Sequence, residues 1–305
     1  MRIIVSDPIS SEGIEFLKSS GVEYEYKPDI TSDELARIID SFDALIVRSR
    51  TKVTKVILER ASRLKVIGRA GVGVDNIDIG AATSQQVKVL NTPNALTNAV
   101  AEFTIGLMID LARKIPNANS STKNGKWEKS RFLGTELKGK TYGTIGIGRI
   151  GQRVAEIAHA MGMKIMANDV IPIPKVLIEE MGVTVSSQDE VFSGADFVDL
   201  HVPLTPETEN LVNYEKLKMM KRTAYLINTS RGKVVNELDL LKGLNEKIIA
   251  GAALDVYEIE PPTLLELIKH DNLITTPHVA GQTEEAQAAA GTQIVELVLK
   301  ALSSP

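Results

Sequence analysis

The chain contains no cysteine in its 305 residues. Disulfides, thiolate catalysis and cysteine-ligated metal sites are therefore excluded, and the lack of an oxidised framework fits a cytoplasmic setting. Basic excess is missing too: the formal net charge is −4, which argues against nucleic acid or an anionic membrane as the partner. No apolar run reaches membrane-spanning length. The amino terminus, "MRIIVSD", enters a strand pattern directly, without a basic segment followed by a long apolar one. Only four histidines are present, so each is easy to weigh. What remains is the make-up of an ordinary globular protein, with 43% hydrophobic and 24% charged residues and enough length for two domains with separate cores.

Strand-like and helix-like segments alternate along the whole chain. "RIIVSD", "VEYEY", "ALIVRS", "LKVIGRA" and "VKVLNTP" read as short strands separated by helical stretches such as 10–20 and 52–60. The pattern predicts a parallel sheet with crossover helices. A long apolar helix is expected over 98–114, stopped by Pro116, and then a polar segment without periodicity that reads as an extended arm. A second alternating series follows: "KTYGTIGI", "MKIMAND", "VTVS", "FVDLHVP", "AYLINTS", "IAGAALDVY" and "NLITTP". A last helix, about 283–302, is positioned to return to the first sheet, which would make the first domain discontinuous. The expected division is 1–94 with 283–305 for a substrate domain, and 95–282 for a nucleotide domain.

The nucleotide assignment starts at "GTIGIGRIGQRVAEIA". Gly146, Gly148 and Gly151 satisfy GxGxxG between an apolar strand and a helix with Val154, Ile157, Ala158 and Met161 at helical spacing. In that context the first glycine permits a tight turn, the second admits a pyrophosphate to the backbone, and the third lets helix and strand pack closely. The amides and dipole of the new helix then face the anion. By itself the motif also fits a glycine-rich turn of purely steric origin. Asp169 adds a second signal, ending the next strand where a carboxylate would accept hydrogen bonds from the adenosine ribose; a turn aspartate is the plainer reading. Residues 170–174 are Val-Ile-Pro-Ile-Pro, with no cation for a 2′-phosphate, so NAD is expected in preference to NADP.

Ligands of doubly wound sheets bind beyond the carboxyl ends of strands. Arg231 in "LINTSRG", Asp255 and Glu260 in "AALDVYEIEP", and His278 in "ITTPHVAG" all occupy such ends. Interconversion of an alcohol and a ketone beside a carboxylate needs this set. Histidine exchanges the hydroxyl proton near neutral pH, a carboxylate orients the ring, and arginine grips the substrate carboxylate with two parallel hydrogen bonds. Taken singly, each has a duller reading: His278 as a turn cap, Glu260 as a solvated loop acid, Arg231 as an ion pair. His201 could line a cofactor cleft or pack at a strand end, while His159 and His270 read as surface residues. No metal-binding constellation is expected.

These blocks, together with "VRSRTKVT", "GRAGVGVDNID", "NTPN", "NGKWEKSRFLGTELKGKT", "HVPLTPET" and "TPHVAGQTEEAQ", resemble the D-isomer-specific 2-hydroxyacid dehydrogenases over nearly the whole chain. The resemblance implies an α/β fold of two doubly wound parallel-sheet domains, with a Rossmann NAD-binding domain inserted into a flavodoxin-like substrate domain. It also implies a homodimer built largely on residues 95–140. It assigns catalysis to Arg231, Glu260 and His278. Cofactor contacts fall on Val72, Gly146, Gly148, Arg149, Ile150, Gly151, Asp169, His201, Val202, Pro203, Thr229, Ser230, Arg231, Asp255, His278, Ala280 and Gly281, with Asp255 facing the nicotinamide amide. On the substrate side stand Arg48, Ser49, Arg50, Arg69, Val72, Gly73, Arg231 and His278. The cations of "VRSRT", with Arg69 and with Lys129 or Arg131 from a partner subunit, suit a phosphorylated substrate, Arg48 first because it follows the strand "ALIV"; the plainer reading of each is a surface charge. The expected reaction is oxidation of 3-phosphoglycerate at C2. Glyoxylate or hydroxypyruvate reduction is the alternative within the family, and an NADH-sensing corepressor-like protein the alternative outside it. Larger relatives carry a C-terminal regulatory domain; this chain stops soon after its last helix, so no serine feedback is expected.

Overall fold

The computed structural model describes residues 1–303 as two compact units, one formed by Met1–Thr97 with the chain from Gly281 onward, the other by Asn98–Ala280. In the first unit, β1 (Arg2–Val5), β2 (Glu23–Tyr26), β3 (Ala44–Val47), β4 (Val66–Arg69) and β5 (Lys88–Asn91) form one parallel sheet in the order β2-β1-β3-β4-β5. This is the flavodoxin-type order. Ile3 to Val5 and Ala44 to Val47 have no exposure, because both faces of the central strands are covered by helices, whereas edge strand β2 is partly exposed. That is why the central strands read as continuous apolar runs and the edge does not.

The long C-terminal helix, Glu284–Ser303, supplies one of those covers. Its Ile294 and Val298 press on Gly68 of β4 so closely that a Cβ there would lie 2.5 Å from the Val298 side chain. It also crosses the helix Ser11–Ser19 at a pair of glycines, where a Cβ on Gly13 would lie 2.8 Å from the backbone of Gly291. Only small residues permit that approach, and they fix where the returning helix docks.

The second unit carries seven parallel strands: β6 (Thr141–Ile145), β7 (Lys164–Asn168), β8 (Thr184–Val185), β9 (Phe197–Leu200), β10 (Tyr225–Asn228), β11 (Gly251–Leu254) and β12 (Leu273–Thr275). Their order is β12-β11-β10-β9-β6-β7-β8. The chain runs outward from β6 to β8 and then returns to the other side of β6, so the switch point lies between β6 and β9. The helix Thr97–Arg113 buries Ala101, Leu107, Met108 and Leu111 in this unit's own core beside Tyr142, Val154 and Ala158. Its apolar character is therefore largely accounted for by the core of this unit.

One expected element differs. The segment after Lys114 begins as a second helix, Ile115–Lys123, and not as an extended arm. Lys114 adopts a left-handed conformation (φ 54°) that breaks the first helix, and Pro116 sits in the first turn of the next. Proline ends a helix only when its ring and missing donor fall in the interior; in the first turn neither matters. Ser121 is the helix's one buried residue, which is why no periodicity showed. A short 3-10 turn at Lys129–Phe132 follows.

Candidate functional site

At the switch point of the larger sheet the glycine-rich loop leaves β6. Gly146 has φ +90°, and a Cβ on it would lie 2.4 Å from the His201 carbonyl oxygen; a Cβ on Gly151 would lie 2.4 Å from the Gly146 oxygen. Both glycines are thus demanded by the protein's own backbone. Gly148 differs: a Cβ there would meet nothing within 4 Å, so its bareness keeps space open outside the loop. It is also the N-cap of the helix Arg149–Ala160, and no side chain caps that end. An open cradle against an uncapped helix N-terminus is what a diphosphate requires. Arg149 is exposed beside it and Ile150 half-buried.

Asp169 follows β7 and reaches back to this loop. One carboxylate oxygen accepts from the Ile147 amide at 2.7 Å, the other from the Ile171 amide at 2.9 Å. It holds the glycine loop and the Val170–Ile171 turn together while each oxygen retains a further lone pair. Val170 and Ile171 are 95% and 70% exposed, an apolar surface beside the carboxylate.

Three further strand ends bring the reactive set together. At the end of β10, buried Asn228 shapes the turn: its Oδ1 accepts from the Ser230 amide (3.0 Å) and hydroxyl (2.8 Å), and its Nδ2 donates to the Arg231 carbonyl (2.9 Å). Thr229 is anchored by the Thr104 hydroxyl at 3.2 Å. After β11 comes Asp255, wholly buried, which accepts from the Thr276 hydroxyl (2.6 Å) and from the Val279 and Ala280 amides (both 2.9 Å). Its oxygens thus hold the segment carrying His278, so the contact with a nicotinamide amide expected of Asp255 has these bonds to compete with. His278 itself has φ +55°. Its Nδ1 lies 2.8 and 3.1 Å from the two Glu260 oxygens, and its ring stays half exposed.

Burial alone would raise the Glu260 carboxyl. The hydrogen bond and charge of His278, the Tyr257 amide and the charge of Arg231 outweigh it, and the net shift is downward from 4.5. Glu260 is therefore a carboxylate at neutral pH, oriented on an imidazole, with a guanidinium in electrostatic reach.

His201 is placed otherwise than at an open cleft. Its side chain is buried, with Nε2 2.7 Å from Asp199 Oδ2 but not aligned for a hydrogen bond; that oxygen accepts from the buried Tyr142 hydroxyl at 2.8 Å. The ring thus lies under the glycine loop, leaving only its main chain, with Val202 and exposed Pro203, to border a ligand. Ala280 is buried beneath the His278 loop.

Gly281 belongs to the first unit, where it packs against Leu96. In that unit Arg48 and Ser49 follow β3 at the switch point between β1 and β3. Buried Asp7 organises the turn, accepting from the Arg48 amide (2.6 Å), the Thr51 amide (3.1 Å) and the Thr51 hydroxyl (2.5 Å). The Arg50 guanidinium is engaged structurally, by the Ser6 carbonyl (2.5 Å), the Ile30 carbonyl (3.2 Å) and Asp7 (3.3 Å). The Arg48 guanidinium makes one long hydrogen bond among the described residues, to the Pro8 carbonyl at 3.4 Å, and feels the charge of Asp7, so it is the less engaged of the two. Arg69 folds back over Gly71, and Val72 and Gly73 are half-buried beyond it. Sequence reasoning missed Asp7, Asn228 and Thr104. Asp7 and Asn228 carried a signal, their positions at the carboxyl ends of β1 and β10, while Thr104 lies within a helix and carried none.

A glycine loop against an uncapped helix end, a strand-end aspartate bound to that loop, and a Glu–His pair with an arginine in electrostatic reach, all on one parallel sheet, define a dinucleotide-dependent dehydrogenase type of domain. Residues 105–280 match the family model for the NAD binding domain of D-isomer specific 2-hydroxyacid dehydrogenases. The chain is 48% identical to a D-3-phosphoglycerate dehydrogenase of Methanocaldococcus jannaschii, over 99% of its own length and 57% of the relative's. A hydroxypyruvate reductase of Thermotoga maritima is 42% identical over 99% of the chain and 98% of that protein. Among solved structures, the D-lactate dehydrogenase of Aquifex aeolicus complexed with NAD and lactic acid superposes with a TM-score of 0.88 at 29% identity, covering 99% of this chain and 95% of that one. The chain belongs to the D-isomer-specific 2-hydroxyacid dehydrogenase family. It spans little more than half the length (53–57%) of the curated phosphoglycerate dehydrogenases it matches.

Proposed function

We propose that this protein oxidises D-3-phosphoglycerate to 3-phosphohydroxypyruvate with NAD. The observation that carries the reading is the Glu260–His278 pair at 2.8 Å with Arg231 in electrostatic reach, on the strand-end loops of a sheet that also bears the glycine cradle. NAD, when bound, supplies the hydride acceptor. Gly148 and the amides opening the helix Arg149–Ala160 would hold its diphosphate, and Asp169 its ribose. Those residues fit the group, since the space outside Gly148 is open and the helix end lacks a side-chain cap.

The rest is the work of the chain. With Nδ1 committed to Glu260, His278 presents Nε2 as the nitrogen that takes the C2 hydroxyl proton. Glu260 stabilises the imidazolium so formed and fixes the ring orientation. Arg231 holds the substrate carboxylate with its planar fork, which sets C2 in one position. Arg48 is the anchor assigned to the phosphate, because Arg50 is already engaged.

The test compares turnover of 3-phosphoglycerate and glycerate, before and after Arg48→Ala. Loss of the preference for the phosphorylated acid is expected; indifference to phosphate in the unaltered protein would point to the hydroxypyruvate reductase reading, the printed activity of the Thermotoga maritima relative. No turnover of any D-2-hydroxy acid would leave the nucleotide-sensing reading. A homodimer through 95–140 is part of the proposal, supported by the exposure of Trp127 (87%), Leu133 (82%) and Ile115 (46%) in that region. Sedimentation that returns a monomer would remove it.

A further inference from the structure

Two carboxylates outside the set just described are placed in an unusual way. The Glu237 amide donates to Glu258 Oε1 at 2.8 Å, and the Glu258 amide donates to Glu237 Oε1 at 2.7 Å. Each residue thus caps the other's backbone, with Glu237 only 8% exposed. Holding two acids side by side in partial burial is costly. Burial raises the Glu237 carboxyl, the Glu258 amide opposes this, and the Glu258 charge adds to it; the net shift is upward.

Helix capping explains only one half of the arrangement: Glu258 accepts from the first amide of the helix Glu237–Asn245, but the Glu258 amide held by Glu237 belongs to no helix. The helix Glu237–Asn245 already has an N-cap, Asn236, whose side chain accepts from the Asp239 amide at 3.0 Å. What the reciprocal bonds do is join two segments. Glu237 closes the stretch that begins with Arg231, and Glu258 lies two residues before Glu260. The two stretches also meet at Gly232, where a Cβ would lie 1.9 Å from the Tyr257 carbonyl. From there the bonding continues to the proton-transfer pair: the Tyr257 amide donates to Glu260 Oε1 at 3.3 Å, and its hydroxyl donates to the Thr276 carbonyl at 2.9 Å, two residues before His278.

We propose that the Glu237–Glu258 clasp is a positioning device, setting the Arg231 turn and the Glu260 carboxylate at the separation that the oxidation of a 2-hydroxy acid requires. The proposal rests on the dehydrogenase reading. Neither glutamate touches substrate; each acts through Arg231 and Glu260.

The test uses Glu237→Ala, Glu258→Ala, the double variant and Glu237→Gln in the full chain. Each alanine variant is expected to lose about 10- to 100-fold in kcat/KM for 3-phosphoglycerate, the scale on which misplaced supporting groups act. NADH affinity should stay within about 2-fold, because the glycine loop is untouched. Since one clasp is broken either way, the double variant should be no worse than the poorer single one. Glu237→Gln keeps an acceptor for the Glu258 amide and should recover most of the loss. Amide exchange on the protein without ligands gives a second readout: Tyr257 and Glu258 should lose protection in Glu237→Ala and keep it in Glu237→Gln. Unchanged protection in Glu237→Ala, or lost protection with wild-type kcat/KM, would overturn the clasp. An unaltered protein that oxidises no 2-hydroxy acid would overturn the dehydrogenase reading instead, and the exchange data would still decide whether the clasp orders the loop.

Discussion

Gly146→Ala and Gly148→Ala differ by one methyl group two residues apart, yet they should fail in opposite ways. At Gly146 the methyl would sit 2.4 Å from the His201 oxygen on a backbone with φ +90°. The left-handed conformation costs about 1–3 kcal/mol for a non-glycine residue, and forcing the overlapping backbones apart adds about 1–3 more. At about 2–4 °C per kcal/mol for a unit of this size, the melting temperature should fall by roughly 5–20 °C. At Gly148 nothing lies within 4 Å of the added carbon, and the backbone there is extended with φ −66°. The folded state should lose less than about 1 kcal/mol, the scale of an N-cap change. The methyl would instead fill the space a diphosphate needs. Losing one charge-assisted amide contact is worth about 1.5–3 kcal/mol, or about 10- to 150-fold in NADH affinity. Melting curves and an NADH fluorescence titration on both variants decide the matter. A Gly148→Ala protein that binds NADH as the parent does, or a Gly146→Ala protein that melts with it, would refute the division of roles.

Three other outcomes follow from the same geometry. Glu260 binds its proton more weakly folded than unfolded, so the pair's contribution to stability is fully present above the ordinary value of 4.5 and is lost as pH falls through the lower folded value; denaturant melts of wild type against Glu260→Gln across that range should converge at the acid end. Arg231→Lys should raise KM for the hydroxy acid far more than it lowers NADH affinity, because an ammonium cannot reproduce the planar fork; equal loss of both would place Arg231 elsewhere. Asp169→Ala should weaken NAD and improve NADP relative to it, and should also loosen the glycine loop, since the Ile147 amide loses its acceptor; exchange of that amide and the two cofactor affinities report both effects.

Much of the architecture was legible because it follows from local rules. Central strands buried on both faces read as apolar runs, and a strand followed by three spaced glycines and a helix has few other readings. The alternation predicted parallel sheets, and the family resemblance supplied their type. Where local rules ran out, the reading strayed. Pro116 marks a helix start because of the left-handed turn at Lys114, which polar sequence does not announce. Arg48 is favoured over Arg50 in "VRSRT" because it directly follows a strand, but that the Arg50 guanidinium is drawn to the carbonyls of Ser6 and Ile30 is visible only in the fold.

By itself, then, the order of residues determined the alternating elements, the glycine turn and which polar groups end the strands, since these depend on side-chain period and on steric limits within a few neighbouring residues. Only tertiary structure decided what each of those groups bonds to. Asp255 and Glu260 are acids five residues apart in one loop. The first is buried and spent on the amides of Val279 and Ala280, the second half-exposed and turned to His278. A carboxylate bonds to whichever donors the fold brings within about 3 Å, and here those donors come from the loop after β12, distant in the chain.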